Sequence, residues 1–310
     1  MPIFKLSLLI FALVILGCTP LQQAARIYAG DLPAPASYQY KEGGTSVYYT
    51  FNAGAAPSTE TVVFFYGGTG CASWIVLMPE YFSGLTINSR VYALNKRFVS
   101  DRSLGQYDCG EDFKLTDNSR QWVLDYAEFI KSRLKALSKK PKNVVLLGVN
   151  EGALTAARVA ALIPSVTHLA IIGSGGYTLR QALTTFKQRG DIRLDIDAGL
   201  ADIAANPGSI YDSWNSNTYR WWSELLDKDP LPDLLKLDIP ILVGIGEKDK
   251  VIPVESAQFL DNQFKEQGKN NLILKVYPGA DHKLSNDGAS SRKAFFTELS
   301  DWVQKSTKVQ

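Results

Sequence analysis

Three polar residues are candidates for a shared reaction because each follows a short apolar run. Asn150 lies between two glycines in the segment LLGVNEGA, Asp249 follows the run PILVGI, and His282 follows the run NLILKVY. The chain contains only two histidines, and the other one, His168, opens an apolar run of its own. An imidazole that is oriented by a carboxylate can act as a general base. Histidine and aspartate are residue types that could supply such a pair, so His282 and Asp249 are candidates for it.

The segments that must position these residues alternate between short apolar runs and longer amphipathic stretches. The runs predicted as strands are residues 46–51, 62–66, 91–94, 144–147, 168–172, 240–245 and 271–277. The first predicted helix begins after a proposed N-cap at Asp117. Further helices are predicted over residues 151–163, 254–267 and 290–303. Strands that are buried on both faces and followed by helices indicate a mainly parallel, doubly wound α/β sheet with helices on both faces.

One long segment interrupts this alternation. Residues 178–236 contain no convincing strand, and they are predicted to form a helical insertion over the carboxyl ends of the strands, where open α/β sheets bind ligands. The insertion carries an aromatic group of Trp214, Tyr219, Trp221 and Trp222. Most of these rings are expected to pack the insertion onto the body of the protein, and any one of them could line a substrate cleft.

The strand before Asn150 and the helix after it make the glycine pattern around this residue more informative than the pattern alone. The pattern G-V-N-E-G follows directly on an apolar strand and opens an alanine-rich helix, and it resembles the nucleophile elbow of the α/β-hydrolase superfamily. The resemblance extends over residues 45–305, and it implies that Asn150, Asp249 and His282 occupy the three catalytic positions. The chain order of elbow, acid and histidine is that of this superfamily. Glu247 and Asp281 are weaker alternatives for the acid.

A second glycine-rich turn implies an oxyanion hole. The segment FFYGGTGCASW ends a strand in glycines and resembles the loop that supplies one main-chain N–H donor in the superfamily. Gly68 and Thr69 are the candidates for this donor, and Glu151, which follows the elbow centre, is the candidate for the other. Two such donors stabilise the charge that develops on a carbonyl oxygen in the transition state. A plain glycine-rich turn is the structural alternative.

Asn150 changes the reaction that the resemblance implies. A carboxamide has no attacking group comparable to a serine hydroxyl, although Asn tolerates the positive φ angle of an elbow. Three interpretations follow. The protein is a hydrolase of esters, thioesters or amides with impaired or absent activity, a binding protein that holds a ligand without turnover, or an enzyme in which His282 and Asp249 activate water directly. Conversion of Asn150 to Asp is a further, less favoured route.

The first residues indicate export. The run from Leu6 to Leu16 is too short to span a bilayer comfortably, and residues 1–17 are predicted to be a signal peptide. The run ends in Ile-Leu-Gly before Cys18, which resembles the bacterial lipobox, so a lipid on Cys18 is expected to anchor the protein in the cell envelope. Residues 18–44 are then a polar tether. A plain secretory signal with an incidental cysteine is the alternative.

Export bears on whether the remaining two cysteines form a disulfide. If Cys18 carries lipid, Cys71 and Cys109 are an even pair in an oxidising compartment, and a disulfide is expected. It would close a loop of about 38 residues and stabilise the fold by roughly 4 kcal/mol on the chain-entropy estimate. Two separate buried thiols are the alternative.

Several classes of function are disfavoured by composition. The chain has 33 Lys and Arg against 31 Asp and Glu, scattered along the sequence, which is not the clustered positive charge typical of nucleic-acid binding. No cofactor or metal is implied, because two histidines without a carboxylate cluster make no convincing ligand set. The expected partners are a small ester or amide, and a membrane through the N-terminal lipid only. An exported structural lipoprotein would require the elbow, Asp249 and His282 to coincide by chance.

Overall fold

The computed structural model describes most of the chain beyond the N-terminal segment. The described residues are 32–306, without residues 77, 79, 102, 104–108, 192, 193 and 287–290. The predicted signal peptide and Cys18 lie outside the described residues. Within the described part of the chain, no helix is both long and apolar enough to cross a membrane.

A single eight-stranded sheet forms the centre of the protein, and a two-stranded hairpin lies apart from it. The strands are β1 Pro35–Gln39, β2 Thr45–Ala53, β3 Thr61–Tyr66, β4 Ser89–Leu94, β5 Asn143–Val149, β6 His168–Ile172, β7 Ser213–Trp214, β8 Asn217–Thr218, β9 Ile241–Gly246 and β10 Leu272–Tyr277. The large sheet has the order β1-β2-β4-β3-β5-β6-β9-β10. Within this sheet, among the described residues, the β1–β2 and β2–β4 pairs are antiparallel and the other pairs are parallel. The prediction of a mainly parallel sheet is therefore confirmed.

Helices cover both faces of this sheet. They are α1 Glu111–Thr116, α2 Ser119–Lys135, α3 Glu151–Leu162, α4 Leu179–Arg189, α5 Ile196–Ala205, α6 Tyr219–Leu225, α7 Leu231–Leu235, α8 Val254–Glu266 and α9 Ser291–Ser306. Along β3 the side chains alternate between two cores. Val62 and Phe64 pack in the core with α2, α3 and α8, whereas Val63 and Phe65 pack in the core with α9. A strand that is buried on both faces has this pattern because successive side chains point to opposite sides.

The sheet begins earlier than the sequence suggests. β1 lies within the segment interpreted as tether, yet it pairs along its whole length with β2. Pro35 is tolerated because β1 is an edge strand, where a missing N–H interrupts no central ladder. The folded body of the protein therefore begins no later than Pro35, and not at residue 45.

The start of α2 also differs from the prediction by one residue. The N-cap is Asn118, whose side-chain oxygen accepts a hydrogen bond from the main-chain N–H of Gln121 at 2.9 Å. Asp117, the predicted cap, is buried and bonds Lys96 instead. Both residue types cap helices well, and the buried lysine decides which one does so here.

The segment 178–236 folds as four short helices, α4 to α7, and the small β7–β8 hairpin. The hairpin has only two residues per strand, and Asn215 and Ser216 at its turn have positive φ angles. Trp221 and Trp222 are buried and belong to the core that contains α2 and α3. As predicted for most of the aromatic group, these two rings pack the insertion onto the body.

Candidate active site

The turn between β5 and α3 has the geometry of a nucleophile elbow. Asn150 has φ 54° and ψ −122°, a strained region that Asn adopts more readily than most residues. Its main-chain N–H donates to the carbonyl of Ile172 at 2.9 Å, which ties the turn to the end of β6. A methyl group on Gly148 would overlap the carbonyl oxygen of Gly152, and one on Gly152 would overlap that of Tyr66. Both flanking glycines are needed because the helix starts so close to β3 and β5.

Asp249 and His282 form a hydrogen-bonded pair at the same edge of the sheet. The distance between His282 Nδ1 and Asp249 Oδ2 is 2.8 Å, and the Asp249 side chain is 0% exposed whereas that of His282 is 18% exposed. Asp249 Oδ1 accepts hydrogen bonds from the main-chain N–H groups of Val251 and Ile252 at 2.8 and 2.9 Å. Because a carboxylate only accepts, the proton lies on Nδ1 and Nε2 is left to accept a proton. This is the arrangement that a general base requires.

The end of β6 lies between this pair and the elbow. The His282 ring packs on the main chain of Gly173, where an added Cβ would lie 2.8 Å from Cε1. The preceding residue, Ile172, is the one whose carbonyl binds the Asn150 N–H. The structure therefore brings Asn150, Asp249 and His282 to one edge of the sheet.

The glycine-rich loop after β3 packs directly against Asn150. Asn150 Nδ2 donates to Thr69 Oγ1 at 3.0 Å, and a Cβ added to Gly68 would lie 3.3 Å from Asn150 Cβ. The loop is fixed two residues later by the disulfide between Cys71 and Cys109, whose Cα atoms are 5.6 Å apart. The predicted disulfide is thus present, and the alternative of two separate thiols is wrong.

The two alternative acids have other roles. Glu247 accepts a hydrogen bond from the main-chain N–H of Gly279 at 2.9 Å. Asp281 accepts hydrogen bonds from the N–H groups of Lys283 and Ser285 at 2.9 and 2.8 Å, so its carboxylate shapes the turn that carries His282. Neither carboxylate is the one that bonds the imidazole.

Sequence reasoning missed a buried charged cluster beside the elbow. Lys96 donates to Glu151 Oε1 and, at 2.8 Å, to Asp117 Oδ1. Trp221 of the insertion donates to Glu151 Oε2 at 3.0 Å. Burial raises the pKa of the Glu151 carboxyl and that of the Asp117 carboxyl, and Lys96 opposes both shifts. The available signal was the polar segment NKR, which follows the strand VYAL at the same edge of the sheet.

The other histidine lies away from this edge. His168 begins β6 and is 1% exposed; its Nδ1 bonds the Thr167 hydroxyl at 2.7 Å, and its ring packs against Trp302 at 5.0 Å. Burial lowers its pKa to about 4. Among the described residues, no group of three or more His, Cys, Asp or Glu side chains is placed to hold a metal ion.

Part of the chain is similar in sequence to known hydrolases. Residues 220–305 match the model of the Dienelactone hydrolase family. The chain is 28% identical over 169 residues to human Serine hydrolase BPHL, an alignment that covers 50% of this chain and 56% of that protein. It is 29% identical over 92 residues to the Uncharacterized peptidase YuxL of Bacillus subtilis (strain 168), covering 29% of this chain and 13% of that protein. The chain thus spans about half the length of the human relative and less of the bacterial one.

Several solved structures share the architecture of the chain. The esterase Pf2001 of Pyrococcus furiosus superposes with a TM-score of 0.58 at 15% identity, covering 93% of this chain and 94% of that one. Est1E from Butyrivibrio proteoclasticus superposes with a TM-score of 0.56 at 14% identity, covering 89% and 99%. The acylaminoacyl peptidase of Pyrococcus horikoshii superposes with a TM-score of 0.58 at 14% identity, covering 91% and 43%. The chain has the α/β-hydrolase fold.

Proposed function

We propose that the protein is an exported, lipid-anchored member of the α/β-hydrolase group that binds a small ester or amide and turns it over slowly or not at all. The observation that carries this proposal is that the site has a hydrogen-bonded Asp–His pair but no nucleophile at its elbow. Asp249 and His282 are joined at 2.8 Å, whereas the elbow residue, at φ 54°, is Asn150. The proposed base and its carboxylate partner are therefore in place, whereas the elbow position itself carries a carboxamide and no nucleophile.

The loss of a nucleophile has a large expected effect. In a serine hydrolase the histidine takes the proton of the hydroxyl as that oxygen attacks the carbonyl carbon. A carboxamide nitrogen has a delocalised lone pair and cannot replace this oxygen. Removal of the nucleophile from such a triad lowers kcat by about 10⁶, and about 10³ to 10⁴ over water remains from the oxyanion hole and substrate binding.

The proposed location is the bacterial cell envelope. Its support is the apolar run before Cys18 and the resemblance of Ile-Leu-Gly-Cys to a lipobox. The disulfide between Cys71 and Cys109 is in keeping with an oxidising compartment. Lipid on Cys18 would hold the protein to a membrane while the folded body remains in the aqueous phase.

The decisive experiment compares the mature protein with its Asn150→Ser variant on short and long p-nitrophenyl esters. We expect kcat/KM to rise by at least about 10³ in the variant, because the introduced hydroxyl would meet an assembled base. A fluorophosphonate probe should label the serine variant at residue 150 and leave the unaltered protein unlabelled. Asn150→Ala is the matched control and should gain nothing. A serine variant that is folded, inactive and unlabelled would overturn the proposed catalytic site.

Ligand binding without turnover is a second candidate. The observation that favours it is the hydrogen bond from Asn150 Nδ2 to Thr69, which holds the carboxamide in one orientation at the centre of the site. Mass spectrometry of the purified protein for a co-purifying ester or amide tests this role. Direct activation of water predicts a different result: activity of the unaltered protein that survives Asn150→Ala and is lost in His282→Ala.

A further inference from the structure

The buried cluster beside the elbow joins three distant segments of the chain. Lys96 follows β4, Asp117 precedes α2, and Glu151 is the first residue of α3. The Lys96 side chain is 5% exposed, and its ammonium group lies 4.2 Å from the centre of the Trp122 ring. The Trp122 indole also donates to Asp117 Oδ1 at 3.1 Å. A charge is buried at this depth only when it is paired and hydrogen bonded.

The cluster binds both carboxylate oxygens of Glu151. Glu151 Oε1 accepts from Lys96, which belongs to the body of the protein, and Oε2 accepts from the indole of Trp221, which belongs to the insertion. The carboxylate also lies at the N-terminal end of α3, where the helix dipole favours negative charge. The side chain of Glu151 is therefore fixed at both oxygens.

The main chain of the same residue has the position expected for an oxyanion donor. N–H groups in the first turn of a helix have no partner within the helix and can point at a ligand. An oxyanion donor is effective only if it is held in place before the reaction. Fixing the side chain of Glu151 restricts the orientation of its own peptide group.

We propose that Glu151 is a positioning residue, whose contacts with Lys96 and Trp221 fix the oxyanion turn and connect it to the insertion over the site. This inference rests on the proposed function. The insertion then acts on the elbow through the contact of Trp221 with Glu151. Its docking, through one indole hydrogen bond, keeps the residue after the elbow in the orientation needed to stabilise the transition state.

The sequence offers a closely matched pair of variants. Trp221 and Trp222 are neighbours in α6, both are 5% exposed, and both donate one indole hydrogen bond. Trp221 donates to Glu151, whereas Trp222 donates to the carbonyl of Trp214 inside the insertion, at 2.8 Å. Trp221→Phe and Trp222→Phe therefore remove similar contacts, and only the first breaks the connection to the elbow.

The first measurement uses the protein with Asn150 in place. Hydrogen exchange by mass spectrometry is followed in the peptide that covers the first turn of α3, where the Ala153 N–H bonds the Asn150 carbonyl at 3.0 Å. We expect Trp221→Phe to speed exchange there by about five- to tenfold and Trp222→Phe to change it by less than about twofold. Equal effects of the two variants would overturn the proposed connection.

The second measurement uses Asn150→Ser as the parent enzyme. Trp221→Phe should lower kcat about tenfold with KM within about twofold, because an oxyanion donor acts in the transition state. Trp222→Phe should leave both within about twofold. A change in KM alone would show that Trp221 contacts substrate and would overturn the positioning role. If Asn150→Ser is inactive, the proposed function fails, and the exchange experiment alone decides the connection.

A conservative change of Glu151 tests whether its side-chain contacts contribute to kcat. Glu151→Gln keeps a carbonyl oxygen for one partner, and Lys96 retains Asp117 as its counter-ion. Glu151→Ala removes both contacts. In the Asn150→Ser enzyme we expect Glu151→Gln to retain about tenfold more of kcat than Glu151→Ala. Equal losses in the two variants would contradict the proposal.

Discussion

The two histidines lie at opposite ends of the parallel strands and have different surroundings. His282 follows the carboxyl end of β10, is partly exposed and bonds the buried carboxylate of Asp249 at 2.8 Å. His168 opens β6 at its amino end, is buried, and has a hydroxyl as its partner. Its Nε2 is buried and has no hydrogen-bond partner among the residues that the structure describes. One imidazole therefore has a carboxylate partner, whereas burial lowers the pKa of the other and favours its neutral form.

The two histidines differ because different groups surround the carboxyl and the amino ends of the strands. At the carboxyl ends, the residues that follow β5, β6, β9 and β10 include Asn150, Gly173, Asp249 and His282, which lie close together, and open α/β sheets bind ligands at this edge. At the amino end of β6, the ring of Trp302 from α9 covers the imidazole. The residue type alone therefore does not identify a candidate base; its end of the sheet and its carboxylate partner distinguish His282 from His168.

The largest expected effect separates the two histidines by activity. In the Asn150→Ser enzyme, His282→Ala should lower kcat by a factor that approaches 10⁶, about the value for loss of a triad histidine. His168→Gln should leave kcat within about twofold, because this residue touches neither the elbow nor Asp249. Initial rates on a p-nitrophenyl ester, with folding checked by circular dichroism, test both. Comparable losses in the two variants would mean that His282 is not the base.

A smaller effect tests the partner of His282 instead of the ring itself. Asp249→Asn should lower kcat by about 10⁴ in the same enzyme, because an amide can stabilise the wrong imidazole tautomer. The carboxamide oxygen can still accept from the N–H groups of Val251 and Ile252, so the loop should remain folded. Matched variants Glu247→Gln and Asp281→Asn should retain far more activity. A loss in Glu247→Gln as large as that in Asp249→Asn would reassign the acid.

Much of this site follows from local sequence patterns. Asn150, Asp249 and His282 each follow an apolar strand, and the carboxyl ends of parallel strands meet at one edge. The glycines on both sides of Asn150 and after β3 indicate close main-chain approach. The strand order and the disulfide then agree with these expectations. Periodicity and turn chemistry are local properties, so one sequence contains them.

The unpredicted features depend on contacts between distant residues. Lys96 lies 21 residues from Asp117 and 55 from Glu151, and no periodic pattern indicates that these three side chains are buried together. The same contact removes Asp117 from the N-cap position of α2 and leaves that role to Asn118. Which polar side chains are buried together is decided by tertiary packing, and local propensity does not specify it.

The smallest expected effect concerns the stability that His168 contributes. Burial lowers its pKa from 6.5 to about 4, so the folded protein binds the imidazole proton more weakly than the unfolded chain does. The stabilising contribution is complete above pH 6.5 and is lost as the pH falls from 6.5 towards 4. The loss amounts to about 3 kcal/mol for a shift of this size. Urea unfolding of the unaltered protein at about pH 7 and about pH 4.5 measures most of it.

His168→Gln is the matched control because glutamine does not titrate in this range. The variant should have a lower free energy of unfolding than the unaltered protein at about pH 7. The difference in this free energy should be smaller by about 2 kcal/mol at about pH 4.5. Carboxylates that titrate at lower pH affect both proteins equally and cancel in the comparison. If the free energy of unfolding falls equally in both proteins between these two pH values, His168 is not held neutral. The contrast between the two histidines would then rest on the Asp249 contact alone.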